Sequence, residues 1–266
     1  MLRFAAAALT AALLAGPAGA APKKLLLIGQ GPDGHPAQTH EYVAGLKVLH
    51  RCLKDVPDLE VTELRADEPW KEGPELMERA DGVVLYLAEG AKWLQADPKR
   101  HEVLKKLAAR RGGIVVLHWA MGTREAGPID AALPLFGAVH GGPDRKYQVL
   151  ETELTPVENR LPVLNGVGAF KVKDEFYYRL KVFKGEGVQP LLRARIDGGD
   201  EMVAWAFRRP DGGRSFGFSG LHFHDNWRVK EYRRLVAQGV LWTLDLPIPK
   251  EGLPVEVEEA DLKLKE

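Results

Sequence analysis

Over the first half of the chain, short uninterrupted apolar runs alternate with stretches of helical periodicity. Residues 25–29, 82–87 and 113–118 are continuous apolar runs, the pattern of strands covered on both faces. Residues 59–64 alternate and predict a further strand. Between them, residues 41–54 repeat apolar positions at Val43, Leu46, Leu49 and Leu53, the spacing of a helix with one buried face. Residues 75–80 predict a short helix. Residues 98–111 predict a basic amphipathic helix whose charge run is a solvated face. The resulting β-α-β-α-β-α-β order calls for an α/β fold with a parallel sheet.

The second half reads differently. Residues 147–154 alternate as a strand with an exposed face, and 170–178 and 191–196 look extended. Residues 202–207 and 215–220 flank Arg209-Pro210-Asp211-Gly212-Gly213, a turn signal. They predict a C-terminal hairpin that extends the sheet. Residues 229–244 predict a closing helix that Asp225 or Asn226 can cap. After Pro247 the chain is rich in Pro and Glu and lacks a clear core pattern. No internal repeat divides the chain, so we expect one domain over 21–246 and a tail over 247–266.

Residues 1–20 stand apart. Arg3 is a short basic region, residues 4–16 are almost all Ala and Leu, and Ala18-Gly19-Ala20 offers a small-residue cleavage site. This predicts a secretory signal cut after Ala20, and a periplasmic or secreted protein. About 245 residues would remain, enough for one large core, and no later stretch is long and apolar enough to span a bilayer. Without Arg3 the chain carries 36 basic and 37 acidic residues, which gives no electrostatic argument for nucleic acid. The single cysteine, Cys52, cannot form an internal disulfide and sits among helical apolar positions as a small core residue.

Candidate chemistry lies mostly in histidine. Six of the eight histidines (His35, His40, His118, His140, His222 and His224) follow segments that read as buried strands. The carboxyl ends of the strands form the ligand crevice of an open parallel sheet. Imidazole is suited to proton transfer and to metal ligation near neutral pH. We therefore expect His118, His140, Glu175 and His222 to share one site, with His50 and His101 outside it. His118 also fits a buried, hydrogen-bonded core position. The segment Asp174-Glu175-Phe176-Tyr177 offers Glu175 as a general base and Tyr177 as a wall, or is an ordinary strand edge. His222-Phe223-His224 puts two imidazoles on one face if extended, with acceptable spacing for metal ligands. Gly29-Gln30-Gly31-Pro32-Asp33-Gly34 matches a dinucleotide fingerprint, but Pro36 disfavours the helix that must begin inside that motif. No nucleotide cofactor is expected.

These pieces, in this order, resemble the trehalose-utilisation (ThuA-like) family of the class I glutamine amidotransferase-like superfamily. The resemblance is carried by Thr39-His40-Glu41-Tyr42, the strand ending in His118, Phe136 with His140, and residues 161–164 before 170–177. Val203-Ala204-Trp205, Gly220-Leu221-His222, Trp227 and Val240-Leu241-Trp242 complete it. It implies a flavodoxin-like three-layer sandwich with a mainly parallel sheet, and a role in carbohydrate utilisation. The chain departs from the family pattern at Gly220-Leu221-His222, where Gly-His is expected directly. The superfamily's nucleophilic cysteine has no counterpart, which argues against glutamine amidotransfer.

The expectation that follows is an exported enzyme of the sugar hydrolase, isomerase or lyase type, acting on a disaccharide or keto-sugar. His118, Glu175 and His222 would be catalytic. His35, His40, Trp119, His140, Asp174, Tyr177 and Trp227 would bind the small carbohydrate substrate. A metal-assisted variant would place a divalent ion on His222, His224 and either His118 or His35. The alternative is a non-catalytic carbohydrate-binding protein on a fold that has lost its nucleophile.

Overall fold

The apolar runs become the centre of a nine-stranded sheet in the computed structural model, which describes residues 21–67, 70–158 and 161–264. The expected signal, residues 1–20, lies outside the described residues. In chain order the first half comprises β1 (Lys23–Gly29), α1 (Tyr42–Leu53), β2 (Leu59–Arg65), α2 (Gly73–Arg79), β3 (Gly82–Tyr86), α3 (Gly90–Gln95), α4 (Pro98–Ala109) and β4 (Gly113–Leu117). Then follow β5 (Gly122–Thr123), α5 (Ile129–Phe136), β6 (Ala138–Gly141), β7 (Lys146–Pro156), β8 (Phe170–Tyr178) and β9 (Lys181–Val182). The last elements are β10 (Val188–Ile196), β11 (Gly199–Arg208), β12 (Arg214–Phe218), α6 (Lys230–Thr243) and α7 (Glu259–Leu262).

The strand order is β2-β1-β3-β4-β12-β11-β10-β7-β8. The first five strands are parallel to one another, and every later pairing is antiparallel. The sheet is therefore mixed, not mainly parallel. The cause is connection length, since a short turn can join only antiparallel strands. Asp197-Gly198 joins β10 to β11 with both residues at positive φ (47° and 73°), the geometry of a two-residue hairpin turn. The residues expected to form a C-terminal extension, β11 and β12, instead lie in the interior, where β12 pairs with both β4 and β11.

Side-chain alternation along the central strands builds a core on each face. Leu25, Leu27, Val84, Tyr86, Val115 and Leu117 pack with α1 and α6. Leu26, Ile28, Val83, Leu85, Ile114 and Val116 pack with the second core, which holds residues of α2, α3, α4 and α5. Neither α3 nor α5 was anticipated. The first has only six residues, and the second is eight largely apolar residues with Pro134 inside, so neither shows a clear helical period. Leu135 and Phe136 thus end a helix, and His140 lies within β6 of a small three-stranded sheet, β5-β6-β9, rather than in a loop. The tail is also packed. Val255 is fully buried, and Arg233 on α6 donates to its carbonyl.

The carboxyl ends of β3 and β4 approach closely. A Cβ on Gly90 would sit 2.2 Å from the Ala120 carbonyl oxygen, in the turn that follows β4. Gly90→Ala should therefore cost about 1–3 kcal/mol through overpacking and lower the melting temperature by several degrees. An unchanged thermal transition would show that this contact does not constrain the fold.

Candidate active site

The site forms where the loops after β1, β4 and β12 meet the end of β8. The loop after β1 carries Asp33, His35 and His40. The Asp33 carboxylate receives Tyr42 Oη and His40 Nδ1, both at 2.8 Å from Oδ2, and His35 Nδ1 at 2.7 Å from Oδ1. Burial raises the Asp33 pKa, but these hydrogen bonds and the His40 ring outweigh it and hold the carboxyl well below its usual range. Asp33 thus stays an acceptor and fixes the ring of His40.

His118 follows β4 directly, in the left-handed region at φ 49°. His40 (φ 55°) and Leu221 (φ 79°) are also left-handed. Such a residue costs about 1–2 kcal/mol, and strain of this kind collects at functional sites. It turns the chain at the strand end, so that His118 faces its neighbours with no exposed surface. His118 Nδ1 lies 2.9 Å from the Ser219 carbonyl oxygen. A carbonyl only accepts, so Nδ1 carries the proton and Nε2 is bare in the neutral ring. Around that bare nitrogen stand His40 Nε2 at 3.0 Å, Tyr177 Oη at 3.0 Å and His222 Nδ1 at 3.3 Å. Glu175 Oε1 lies 3.9 Å from it and 3.7 Å from His222 Nδ1.

Burial keeps these imidazoles neutral. It lowers the pKa of His40, and together with the neighbouring rings it holds His118 far below its ordinary value and His222 near about 3. His140 is likewise pushed down to about 3, by burial and by Arg145 and Lys181. Glu175 is raised to about 7 by burial and by the adjacent Asp174. Tyr177 is stacked between His118 (centroids 4.6 Å apart) and His140 (3.9 Å), which aims its hydroxyl at His118.

A cavity of about 110 Å³ opens beside this cluster. Its wall is formed by His35, His40, Trp119, His140, Glu175 and Tyr177, and Arg124, Arg145 and the exposed ring of Tyr147 complete it. The volume is below the roughly 300–1,000 Å³ of a drug-sized ligand pocket.

The expected site residues divide accordingly. His118, Glu175 and His222 converge, with His35, His40, Trp119, His140 and Tyr177 around them. Three expectations are corrected. Asp174 is wholly buried and meets no ligand surface. Its Oδ1 accepts from the backbone N–H of Glu175 (2.9 Å), His222 (3.1 Å) and Phe223 (3.4 Å), and its Oδ2 from Leu221 N–H (2.6 Å) and Tyr232 Oη (3.0 Å). Trp227 has no exposed surface and packs in the core near Tyr86. His224 does not join His222, because a 3-10 turn begins at His224 and sends its Nε2 to the Leu262 carbonyl, 3.0 Å away. Among the described residues the metal-competent group at this point is instead His40, His118, Glu175 and His222, with Asp33, His35 and His40 a second such group beside it; the donor atoms of each lie within 4.8 Å of one another. His50 pairs with Glu63 on the surface, and His101 lies on α4, away from the site.

Sequence reasoning passed over Asp33, Arg124, Arg145 and Tyr147. Asp33 alone left a signal, a carboxylate two residues before His35 in a glycine-rich loop.

A family model described as trehalose utilisation, ThuA, matches residues 32–243. The chain belongs to the ThuA family. A putative ThuA-like protein from Bacteroides uniformis ATCC 8492 superposes with a TM-score of 0.64 at 13% identity, covering 86% of this chain and 95% of that one. A β-galactosidase from Bacillus circulans sp. alkalophilus gives 0.52 at 11% identity, over 82% of this chain and 30% of that one. A glutamine amidotransferase from Thermotoga maritima gives 0.44 at 10% identity, over 84% and 96%. At these identities the first two likenesses concern the fold alone. The search of curated proteins found no match. Leu221, between Gly220 and His222 of this ThuA chain, makes a left-handed turn, and its carbonyl accepts from Tyr86 Oη.

Asp174→Ala should leave buried N–H groups of residues 221–223 without an acceptor, at about 1–3 kcal/mol each. We expect a loss of about 3 kcal/mol or more in chemical denaturation. A transition midpoint equal to wild type would remove Asp174 from its structural role.

Proposed function

We propose that this chain is an exported enzyme of carbohydrate utilisation that moves protons on a disaccharide or its keto form. The observation that carries the reading is the convergence of Glu175 with His118 and His222 beside an aromatic-walled cavity. Family membership supports a carbohydrate-related role. The missing nucleophile points to chemistry without an acyl-enzyme.

Glu175 lines the cavity, and its side chain is 14% exposed while His118 is fully buried. It is the group best placed to meet a substrate proton. In a keto-sugar the C–H bond next to the ketone is acidified. A base takes that proton, and the electron pair passes to the carbonyl oxygen as an enolate forms. Return of the pair then expels a glycosidic oxygen from the neighbouring carbon, which leaves with a proton; reprotonation at carbon instead gives isomerisation. Trp119 and the exposed ring of Tyr147 line the cavity and offer apolar ring surface for the sugar.

Trehalose, other disaccharides and their keto forms are the substrates to assay. Turnover of a keto form is expected, and Glu175→Gln should reduce kcat by about 10²–10⁴-fold with an unchanged thermal transition. Saturable binding with no turnover of any of these sugars would contradict the enzyme and favour the carbohydrate-binding reading. For export, the expected N-terminus of the secreted protein is Ala21, on the strength of Arg3 and Ala18-Gly19-Ala20. A soluble cytoplasmic product that retains Met1 would contradict it.

A further inference from the structure

The neutral cluster leaves a contact that its own hydrogen bonds satisfy on one side only: Tyr177 Oη can donate to His118 Nε2 at 3.0 Å, whereas among the described residues no donor meets His40 Nε2. His118 Nδ1–H is committed to the Ser219 carbonyl, and His40 Nδ1–H to Asp33. Both Nε2 atoms are therefore bare, yet they face one another at 3.0 Å. Two lone pairs at that distance repel unless a cation lies between them or beside them. A shared proton would charge either His118, which has no exposed surface, or His40, which is 3% exposed and balanced only by Asp33, with two other imidazoles against each ring. A metal ion meets the same lone pairs without placing a charge on any ring.

The distances agree. A tetrahedral ion with nitrogen ligands at about 2.0–2.1 Å sets them roughly 3.3–3.4 Å apart. His118 Nε2 lies 3.0 Å from His40 Nε2 and 3.3 Å from His222 Nδ1. Ligand histidines characteristically donate their other N–H to a carboxylate or a backbone carbonyl, which fixes the tautomer and the ring. His40 does so to Asp33, and His118 to Ser219.

We infer that His40, His118 and His222 bind one divalent transition-metal ion, with Glu175 at its fourth, open side toward the cavity. Glu175 Oε1 stands 3.9 Å from His118 Nε2, farther than His40 Nε2 at 3.0 Å and His222 Nδ1 at 3.3 Å, and it lies 3.7 Å from His222 Nδ1. That spacing suits a base acting beside the ion. The ion would polarise a carbonyl oxygen and stabilise the enolate that Glu175 generates. Binding is argued from the geometry alone, and its catalytic purpose rests on the carbohydrate reading above.

The test is titration of the metal-free protein with Co²⁺ and Zn²⁺, without sugar, followed by metal content and, for Co²⁺, by visible ligand-field bands. We expect one ion per chain. His40→Ala and His222→Ala should each weaken binding more than about 100-fold, since even outer partners such as Asp33 are worth about 10–100-fold. Asp33→Asn should fall in that lower range. Glu175→Gln should keep the ion while losing turnover, and His224→Ala should bind as wild type. His118→Ala removes a fully buried ring, so circular dichroism must accompany it, and the other two histidine variants carry the result if it fails to fold.

No stoichiometric binding by the folded wild type, or unchanged binding in folded His40→Ala and His222→Ala, would overturn the metal centre. Loss of the ion in Glu175→Gln as severe as in the histidine variants would overturn the three-histidine assignment. Metal binding without turnover of any sugar leaves the centre standing and removes the carbohydrate enzyme. Full turnover in the presence of a chelator, with no metal retained, leaves the carbohydrate enzyme standing and overturns the ion's part in catalysis.

Discussion

The buried carboxylate of Asp174 holds the site together. It lies on β8, at the edge of the antiparallel half of the sheet, and accepts the backbone N–H groups of Leu221, His222 and Phe223 in the loop after β12, the last parallel strand. Taking an ion out of water costs several kcal/mol, and hydrogen bonds to a charged group return about 1.5–3 kcal/mol each. The balance is tight enough that burial still raises the Asp174 pKa to about 6. One consequence is geometric. The same contacts hold Leu221 in its left-handed turn, set His222 against His118, and bring Glu175 and Tyr177 to the parallel strand ends.

A second constraint acts from the other side. Asp33 orients His40, the Ser219 carbonyl orients His118, and the His118–Tyr177–His140 stack restrains the phenol. His40 and His118 are thus each held by a partner outside the cavity wall, as precise catalytic and metal sites require. Left-handed backbone at His40, His118 and Leu221 is the cost of turning the chain at the strand ends, and packing around the site offsets it.

Much of this was legible in the chain. The buried runs 25–29, 82–87 and 113–118 became central strands, because a strand covered on both faces needs apolar residues at every position. The rule that ligands sit at carboxyl strand ends led to His40, His118 and His222. The antiparallel half was less legible. Its register depends on turns such as Asp197-Gly198, a strong hairpin signal that was passed over. Asp174 was misread because sequence does not distinguish a carboxylate that meets a ligand from one that meets backbone N–H groups. His224 was misread because His-x-His faces one way only in an extended chain, and a 3-10 turn begins there. The pairing of bare nitrogens on His40 and His118 depends on tautomers, which only the partners of the opposite ring atoms reveal.

The central claim is that three neutral imidazoles from three loops present their lone pairs to one point. X-ray absorption at the metal edge of the zinc- or cobalt-loaded wild-type protein tests it most directly. The account predicts a light-atom shell at about 2.0–2.1 Å with the multiple-scattering pattern of three imidazoles, diminished by one in His222→Ala. An oxygen-only shell without imidazole scattering, or a spectrum unchanged in that variant, would contradict it.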